Sequence, residues 1–598
     1  MWRVRGTRKN KKDVYANTFG KLLVILTLTK GAQLVGFLQS GSGTRGRSTV
    51  LSCTQDVRLF LEGQKPKIFH VTKETEFLAP YGGVSRVVHE LATTQLARFN
   101  VFVVLPKYGF ISKARKLCEI SVRLKGTTRK LDIKAHVEYA RGINYVLISP
   151  PRACPTLWSS VAREEMYTVP RSCRILGFDK QARDLYFTFA ATAFFQSTML
   201  RSMEKTNVRT PQRANERVIF HVHSSHNAPF VYFAMQNGAV TWGSRVRYIY
   251  TLHDYDGEMK TTYKKSDVLR LAHSLRHTED IPMSKVGCMA KQHRQFIEKR
   301  NLHAFELAMC ANAITSVSQG MLNYLETNSQ ATDALVREYL EARRVQVIQN
   351  WISPSVFKTA TNSINPHSPM ESKIRAKSVF FSHFLTEARA DQAHTCALLW
   401  VGRFDTNKGI HALSTIHAAA CRRRCIFTIM GYHTTNGKDK RLLRRQIAHI
   451  RRTEHIGSCP LILLDNSDKQ AKFGSLARAA ADVVVITSAR EAYGLVAAES
   501  LAYASIPIVP NIGGLIDVVR PHGTRSNNWT GIVYNHSIDH EKMLDQIDYA
   551  IDTCLDLLDT AWMSRGVYTQ LLKRLQESTP TQENGRQAYD KVIDELLR

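Results

Sequence analysis

Two cations five residues apart, Arg403 and Lys408, follow the apolar run 398–401 in LLWVGRFDTNKG. At the end of a strand such a pair can clamp a diphosphate as charge develops on it, the assistance a departing nucleotide needs. A second apolar run, 483–486, ends in Ser488 and precedes Glu491, Gly494, Leu495 and Glu499 in an Ala-rich stretch. It reads as a buried strand followed by a helix. That places Glu491 at the strand's carboxyl end, where open α/β sheets bind ligands, and Glu499 about two turns on. One carboxylate there can accept hydrogen bonds from sugar hydroxyls and another can hold a ribose, although paired glutamates near a helix start also arise for dipole reasons alone. A further buried strand, 506–509, leads to Gly513 and Gly514 before a helix starting near Leu515. Two glycines there let backbone N–H groups approach a phosphate.

The first half of the chain holds sparser signals. A strand from Lys67 leads to Gly82 and Gly83 and then a helix, with a second strand at 101–105. The segment HVHSSHNAP carries His221, His223 and His226. Alternation on a strand sends His221 and His223 to one face and leaves His226 beyond the strand end, so with no carboxylate to complete a set no metal site is expected. Asp179 and Arg183 stand four apart in a helix whose Tyr186, Phe187 and Phe189 occupy packing positions; the charges are either a surface ion pair or part of a cleft.

Taken together, these stretches resemble the glycogen and starch synthases, retaining glycosyltransferases of the GT-B fold. In the second half Ser488, Glu491, Gly494, Leu495, Glu499, Tyr503, Pro507, Gly513, Gly514, Leu515 and Asp517 match S-R-x-E-P-C-G-L…E…Y-G…P-V…T-G-G-L-x-D, and Gly402, Arg403, Lys408 and Gly409 match V-G-R-L…K-G. In the first half Glu74, Gly82, Gly83, Pro106, Tyr108 and Gly109 match the family's opening, Asp179 and Arg183 match D-x-x-x-R-F, and His226 stands last in H-x-H-D-W-H. The chain departs at Pro80 and Tyr81, where the family has a lysine, at Arg86 for an aspartate, at Ser224-Ser225 for D-W, and at Ala492, Tyr493 and Ile512. Arg86, one turn into the helix after Gly83, is the nearest cation able to replace the missing lysine; otherwise it faces solvent.

The resemblance implies an α/β protein with two Rossmann-like doubly wound domains facing a cleft, the acceptor mainly on the first and the nucleotide sugar on the second. It implies extension of an α-1,4-glucan from ADP-glucose or UDP-glucose, with no cofactor and no metal if Arg403, Lys408 and helix N-termini carry the leaving-group charge. Glu491 and His226 would hold the glucose, Glu499 the ribose, and Gly513 and Gly514 the sugar hydroxyls or diphosphate. Gly494 and Leu495 would line the cleft beside them, with Gly82, Gly83 and Asp179 on its other side. A transferase of another sugar to a smaller acceptor, or an inactive glucan-binding protein, are the rival readings.

The elements that must position these residues fit within 598 residues, enough for two large domains. Expected divisions are a basic extension at 1–64, a first domain at 65–350, a second at 351–575, and a closing helix at 576–598 that crosses back to the first. The first fifty residues carry ten Lys and Arg against the single acid Asp13, a balance matching an organelle transit peptide, a disordered basic arm or, with its short apolar core, a secretory signal. An intracellular setting follows, plastid or other organelle, otherwise cytoplasm. The eleven cysteines show no metal-ligand spacing and suggest a reducing compartment. A net charge of +31 predicts attraction to nucleotide diphosphates. It is spread out with no nucleic-acid-binding motif, so no nucleic-acid partner is expected. No apolar run reaches the length of a membrane span, and the basic stretch 438–452 reads as a solvated helix face.

Overall fold

The computed structural model describes residues 65–598 except 81, 126–129, 153, 159–181, 201–216, 242–245, 255–260, 276–298, 328–344, 386–393, 434–436, 455–458 and 524–527. The basic amino-terminal extension and Asp179 therefore lie outside the described residues.

Two sheets organise the chain. The first is built from β1 (Lys67–Val71), β2 (Asn100–Pro106), β3 (Arg115–Arg123), β4 (Lys130–Ala140), β5 (Ile143–Ile148), β6 (Val218–His223), β7 (Val246–Leu252), β10 (Ala313–Ser316) and β11 (Val345–Val347), while β8 (Thr262–Lys264) and β9 (Asn301–His303) pair separately. Its order is β11-β10-β7-β6-β1-β2-β5-β4-β3, parallel throughout except for β4 and β3, which extend one edge antiparallel. The second sheet comprises β12 (Ala397–Phe404), β13 (Ile426–His433), β14 (Leu461–Leu464), β15 (Val483–Val485), β16 (Ile506–Pro510) and β17 (Ile532–Tyr534) in the all-parallel order β14-β13-β12-β15-β16-β17. Continuous aliphatic strands such as VVV and IPIVP are buried along their whole length, as parallel strands covered on both faces require.

Among the parallel strands of each sheet the order reverses between β1 and β6 in the first and between β12 and β15 in the second. A crevice opens at such a switch point outside the strands' carboxyl ends, because successive crossovers leave it in opposite directions. Residues following β1, β6, β12 and β15 are therefore the ones the fold gathers for ligand work.

The helices used below are α1 (Gly83–Gln95), α2 (Ala182–Phe195), α3 (Gln319–Thr327), α4 (Gly437–Glu454), α5 (Ser467–Ala480), α6 (Leu495–Ala502), α7 (Leu515–Val518), α8 (His540–Trp562), α9 (Arg565–Glu577) and α10 (Gln582–Leu597). In α4 Leu443 and Ile450 are buried while most of its basic side chains face solvent, as its pattern predicts. The polar stretch that opens the second half holds two helices, Pro354–Ser363 and Pro369–Ser382, the first capped by Ser353. The eleven-residue β4 and helix α9 were not anticipated. The closing helix α10 does lie against the first sheet: Arg98 pairs with Asp590, and Tyr589 lies 3.4 Å from the hydroxyl of Thr251 on β7.

The cysteines depart from the expectation of a uniformly reduced protein. Cys118, Cys154 and Cys310 of the first half are disulfide-bonded, whereas Cys396, Cys421, Cys425, Cys459 and Cys554 of the second carry free thiols. Among the described residues no helix is long and apolar enough to cross a membrane.

Candidate functional site

At the first switch point, β1 runs into Thr72, Lys73 and Glu74. The Thr72 hydroxyl, bonding main-chain atoms of Glu74, turns the chain sharply there. The Glu74 carboxylate then lies beside Gly82, 3.8 Å from where a side-chain carbon would begin, and a side-chain carbon on Gly83 would lie 3.2 Å from Leu495 of the second half. From the other side of the switch, β6 ends in His223, and a 3₁₀ turn, Ser225–Asn227, carries His226 outward. The Nδ1 atom of His226 lies 2.8 Å from Oδ2 of Asp184 on α2, and the other oxygen of Asp184 pairs with the ammonium of Lys73. Burial alone would raise the Asp184 pKa, but Lys73, His226 and Arg183 outweigh it and hold the carboxyl well below the ordinary range. Neither Lys73 nor Asp184 was singled out from sequence, although each adjoins a matched residue, Glu74 and Arg183.

His221 and His223 do share a face, as alternation predicts, but they meet His70 from β1, the cross-strand partner of His221. His70, His223 and His253 form a buried hydrogen-bonded column that ends on Gln95, with links of 2.8–3.1 Å. Desolvation by burial lowers the pKa of His70 to about 4 and of His253 to about 3, which keeps the column neutral. Nitrogens of His70, His221 and His223 lie within 4.8 Å of one another, as do ligand atoms of His417, Cys421 and Cys459. Three neutral imidazoles, or an imidazole with two thiols, are chemically able to bind a divalent ion. In the first group, however, the proton shared between His70 and His223 would have to be displaced.

At the second switch point Asp405 accepts from the amide of Lys408 and caps the turn Thr406–Lys408, and its other oxygen takes Nε of Arg403 at 2.8 Å. The ammonium of Lys408 crosses to the loop after β15, pairing with Glu491 and lying 3.4 Å from Ser488 Oγ. Ser488 in turn donates to Glu491 at 3.2 Å. The two loops are stitched together by Thr487, whose hydroxyl donates to the carbonyl of Lys408 at 2.8 Å and receives Trp400 Nε1 at 2.9 Å.

Gly494, at φ +101°, turns the chain into α6 in a conformation that side chains resist. Gly514 packs so tightly on Ala492 and Tyr493 that a side-chain carbon would lie 2.4 Å from their main chains, and its amide donates to the Glu491 carbonyl at 3.0 Å. The loop bearing Gly513 and Gly514 thus supports the one bearing Glu491. The sequence places Glu499 about two turns beyond Glu491, and it does lie on α6 (Leu495–Ala502). Midway along that helix it is nearly buried between Arg86 of α1 at 2.6 Å and Arg478 of α5 at 3.3 Å. Arg86, whose side chain stays 45% exposed, thus bridges to the second lobe through Glu499.

Similarity to known proteins follows the same two halves. Residues 67–338 match the starch synthase catalytic domain, and residues 396–554 match the glycosyl transferases group 1 domain. The chain belongs to the glycogen and starch synthase-like GT-B family. Glycogen synthase 1 of Synechococcus sp. (strain JA-3-3Ab) is 29% identical over 163 residues, covering 26% of this chain and 30% of that protein. The glycogen synthase of Albidiferax ferrireducens is 28% identical over 218 residues, covering 35% of this chain and 40% of its own length. These matched stretches span well under half of the curated relatives. The family's fold extends further than its sequence: the catalytic domain of starch synthase IV from Arabidopsis thaliana, solved with ADP and acarbose, superposes with a TM-score of 0.67 at 17% identity, over 89% of this chain and 99% of that domain.

Proposed function

We propose that this protein is a retaining glucosyltransferase that extends an α-1,4-glucan from ADP-glucose or UDP-glucose. The observation that supports it best is the pairing of Lys408 with Glu491 and Ser488 at the second switch point, with Gly82, Gly83 and His226 supplied from the first. A cation beside a carboxylate at that position suits a glycosyl diphosphate: Arg403 and Lys408 take the negative charge that grows on the leaving nucleotide, and Glu491 takes the sugar hydroxyls. His226 contacts the transferred glucose from the opposite wall, Glu499 binds the ribose, and Asp179, outside the described residues, is assigned to substrate binding on the resemblance alone. Gly494, Leu495, Gly513 and Gly514 shape the floor on which the diphosphate rests. ADP and acarbose are ligands of the Arabidopsis relative, and a nucleotide and a glucan chain are the corresponding ligands here. The basic extension at 1–64 is read as an organelle-targeting segment.

A second reading, a glucan-binding protein without turnover, is favoured by the contact of Arg86 with Glu499, which occupies the carboxylate intended for ribose. A turnover assay of the purified protein with labelled ADP-glucose and UDP-glucose on glycogen separates the two, and chain-length analysis of the product tests the linkage. Incorporation that falls roughly 10²-fold in Arg403→Ala and in Lys408→Ala supports the transferase. Glycogen binding with no incorporation from either donor overturns it.

A further inference from the structure

We propose that Asp184, braced by Lys73, fixes the imidazole of His226 in the tautomer whose Nδ1 carries the proton, making Lys73 and Asp184 positioning residues for the sugar contact of His226. The inference deepens the transferase reading, on which the sugar contact rests; the ring's tautomer can be tested without it.

Three elements converge here: the end of β1 brings Lys73, α2 brings Asp184, and the turn after β6 brings His226. The side chains are 3%, 10% and 38% exposed respectively, so the chain of contacts runs from the interior outward to the cleft. An ionised carboxylate only accepts hydrogen bonds, so the His226 nitrogen 2.8 Å from it must donate. In a neutral ring this leaves Nε2 as the acceptor, suited to receive a hydroxyl proton from a sugar. Lys73 neutralises the oxygen of Asp184 that His226 does not use, and Arg183 Nε stands 3.9 Å from that same oxygen. The main chain of Lys73 is itself pinned, since the buried Tyr108 hydroxyl donates to its carbonyl at 2.9 Å.

Packing alone does not call for this arrangement. Asp184 sits among Leu185, Tyr186 and Phe187, all buried, and a well-packed apolar pair in place of a buried ion pair is often as stable or more so. A lysine and a carboxylate kept in such surroundings, with the carboxylate's remaining oxygen on a half-exposed imidazole, place their value at the ring. Replacing a carboxylate by an amide behind a histidine of this kind leaves the geometry intact and lets the wrong tautomer in.

The test uses the full chain labelled with ¹⁵N-histidine, the His226 signal being identified by its loss in His226→Gln. Ring ¹⁵N shifts report which nitrogen carries the proton. The expected result is a protonated Nδ1 in the wild type and a mixture of tautomers in Asp184→Asn. In the transfer assay the Asp184→Asn kcat falls on the order of 10²-fold with the glycogen KM nearly unchanged, Lys73→Arg retains more activity than Lys73→Met, and adding His226→Gln to Asp184→Asn costs little more. Should Asp184→Asn fail to fold because Lys73 loses the charge of Asp184, the double variant Lys73→Met/Asp184→Asn, which removes both charges, carries the same readouts. A wild-type His226 protonated on Nε2, or an Asp184→Asn variant that keeps both the Nδ1 tautomer and kcat, overturns the proposal. If the wild type transfers glucose from neither donor, the transferase reading fails and the ring spectrum alone decides this one.

Discussion

Replacing Arg86 by alanine should tighten nucleotide binding, the opposite of what its place near a missing family lysine suggests. Arg86 Nη1 lies 2.6 Å from Glu499 Oε1, and its side chain is 45% exposed against 7% for Glu499. A pair with one partner so open to water has a net value of about 1 kcal/mol at most. If the ribose hydroxyls are to reach Glu499, the donor must first displace Arg86, which weakens its binding by that amount, about 5-fold. Arg478 stays 3.3 Å from the other oxygen, so Arg86→Ala does not strand a buried carboxylate. Titration calorimetry with ADP and UDP on both proteins should show the variant binding up to ~5-fold more tightly, with the gap narrowing at high salt as the exposed pair is screened. Steady-state kcat should change little. Nucleotide binding weakened ~10²-fold, with kcat lost as in Lys408→Ala, would refute the displacement argument and make Arg86 a diphosphate ligand.

Asp482 accepts from the Ala397 amide at 2.9 Å and the Tyr568 hydroxyl at 3.2 Å and pairs with Lys377, all buried; Asp482→Ala should therefore cost about 3–5 kcal/mol, read as a lowered urea midpoint. Glu90 carries a pKa raised to about 7 by burial and by Glu76, against the lowering effect of a hydrogen bond with Ser353. Its folded-state pKa exceeds the unfolded value of 4.5, so its contribution to stability is fully present below pH 4.5 and lost as pH rises through about 7. Glu90→Gln should accordingly match the wild type at pH 4 and exceed it above pH 8 by ~1–2 kcal/mol, discounted for partial solvent access; equal urea midpoints at both pH values would contradict this. In differential alkylation under denaturing conditions, peptides bearing Cys118, Cys154 and Cys310 should react only after reduction, and those bearing Cys396, Cys425 and Cys554 without it. Modification of all of them before reduction would restore the uniformly reduced protein that the sequence suggested.

What the sequence reveals of this molecule follows from how local each signal is. Strands β12, β15 and β16 each carry a short run of buried apolar residues, as a doubly covered sheet requires, and Lys408 and Glu491 lie in the loops that follow two of them. Strand β4 escapes notice because its buried residues alternate with Lys, Asp, His and Glu, which resembles a polar segment until β3 and β5 flank it. The helix Pro354–Ser363 had a readable start in Ser353-Pro354, outweighed by its polar composition. Lys73 and Asp184 meet across a separation of 111 residues, and His70 and His223 across 153. No spacing rule reaches across such distances; only the strand order does, by laying β1 beside β6. The partner of Glu499 was hidden for the same reason, since Arg86 lies 413 residues away.

The return of α10 to the first sheet has a consequence for how the protein is made. Thr251 and Tyr589, which meet in the finished fold, are 338 residues apart. At a translation rate of ~5–20 residues per second the first lobe waits about 17–68 s for the helix that covers it. Throughout that interval the surface destined for Tyr589, next to the ring of His221, stands open on a nascent chain. Synthesis therefore finishes the first lobe last: its final layer arrives only after the whole second lobe has left the ribosome. A ribosome-bound chain halted after α9 would carry a second sheet complete in sequence and a first sheet still lacking its cover, a state suited to capture by a chaperone and to attack by a protease.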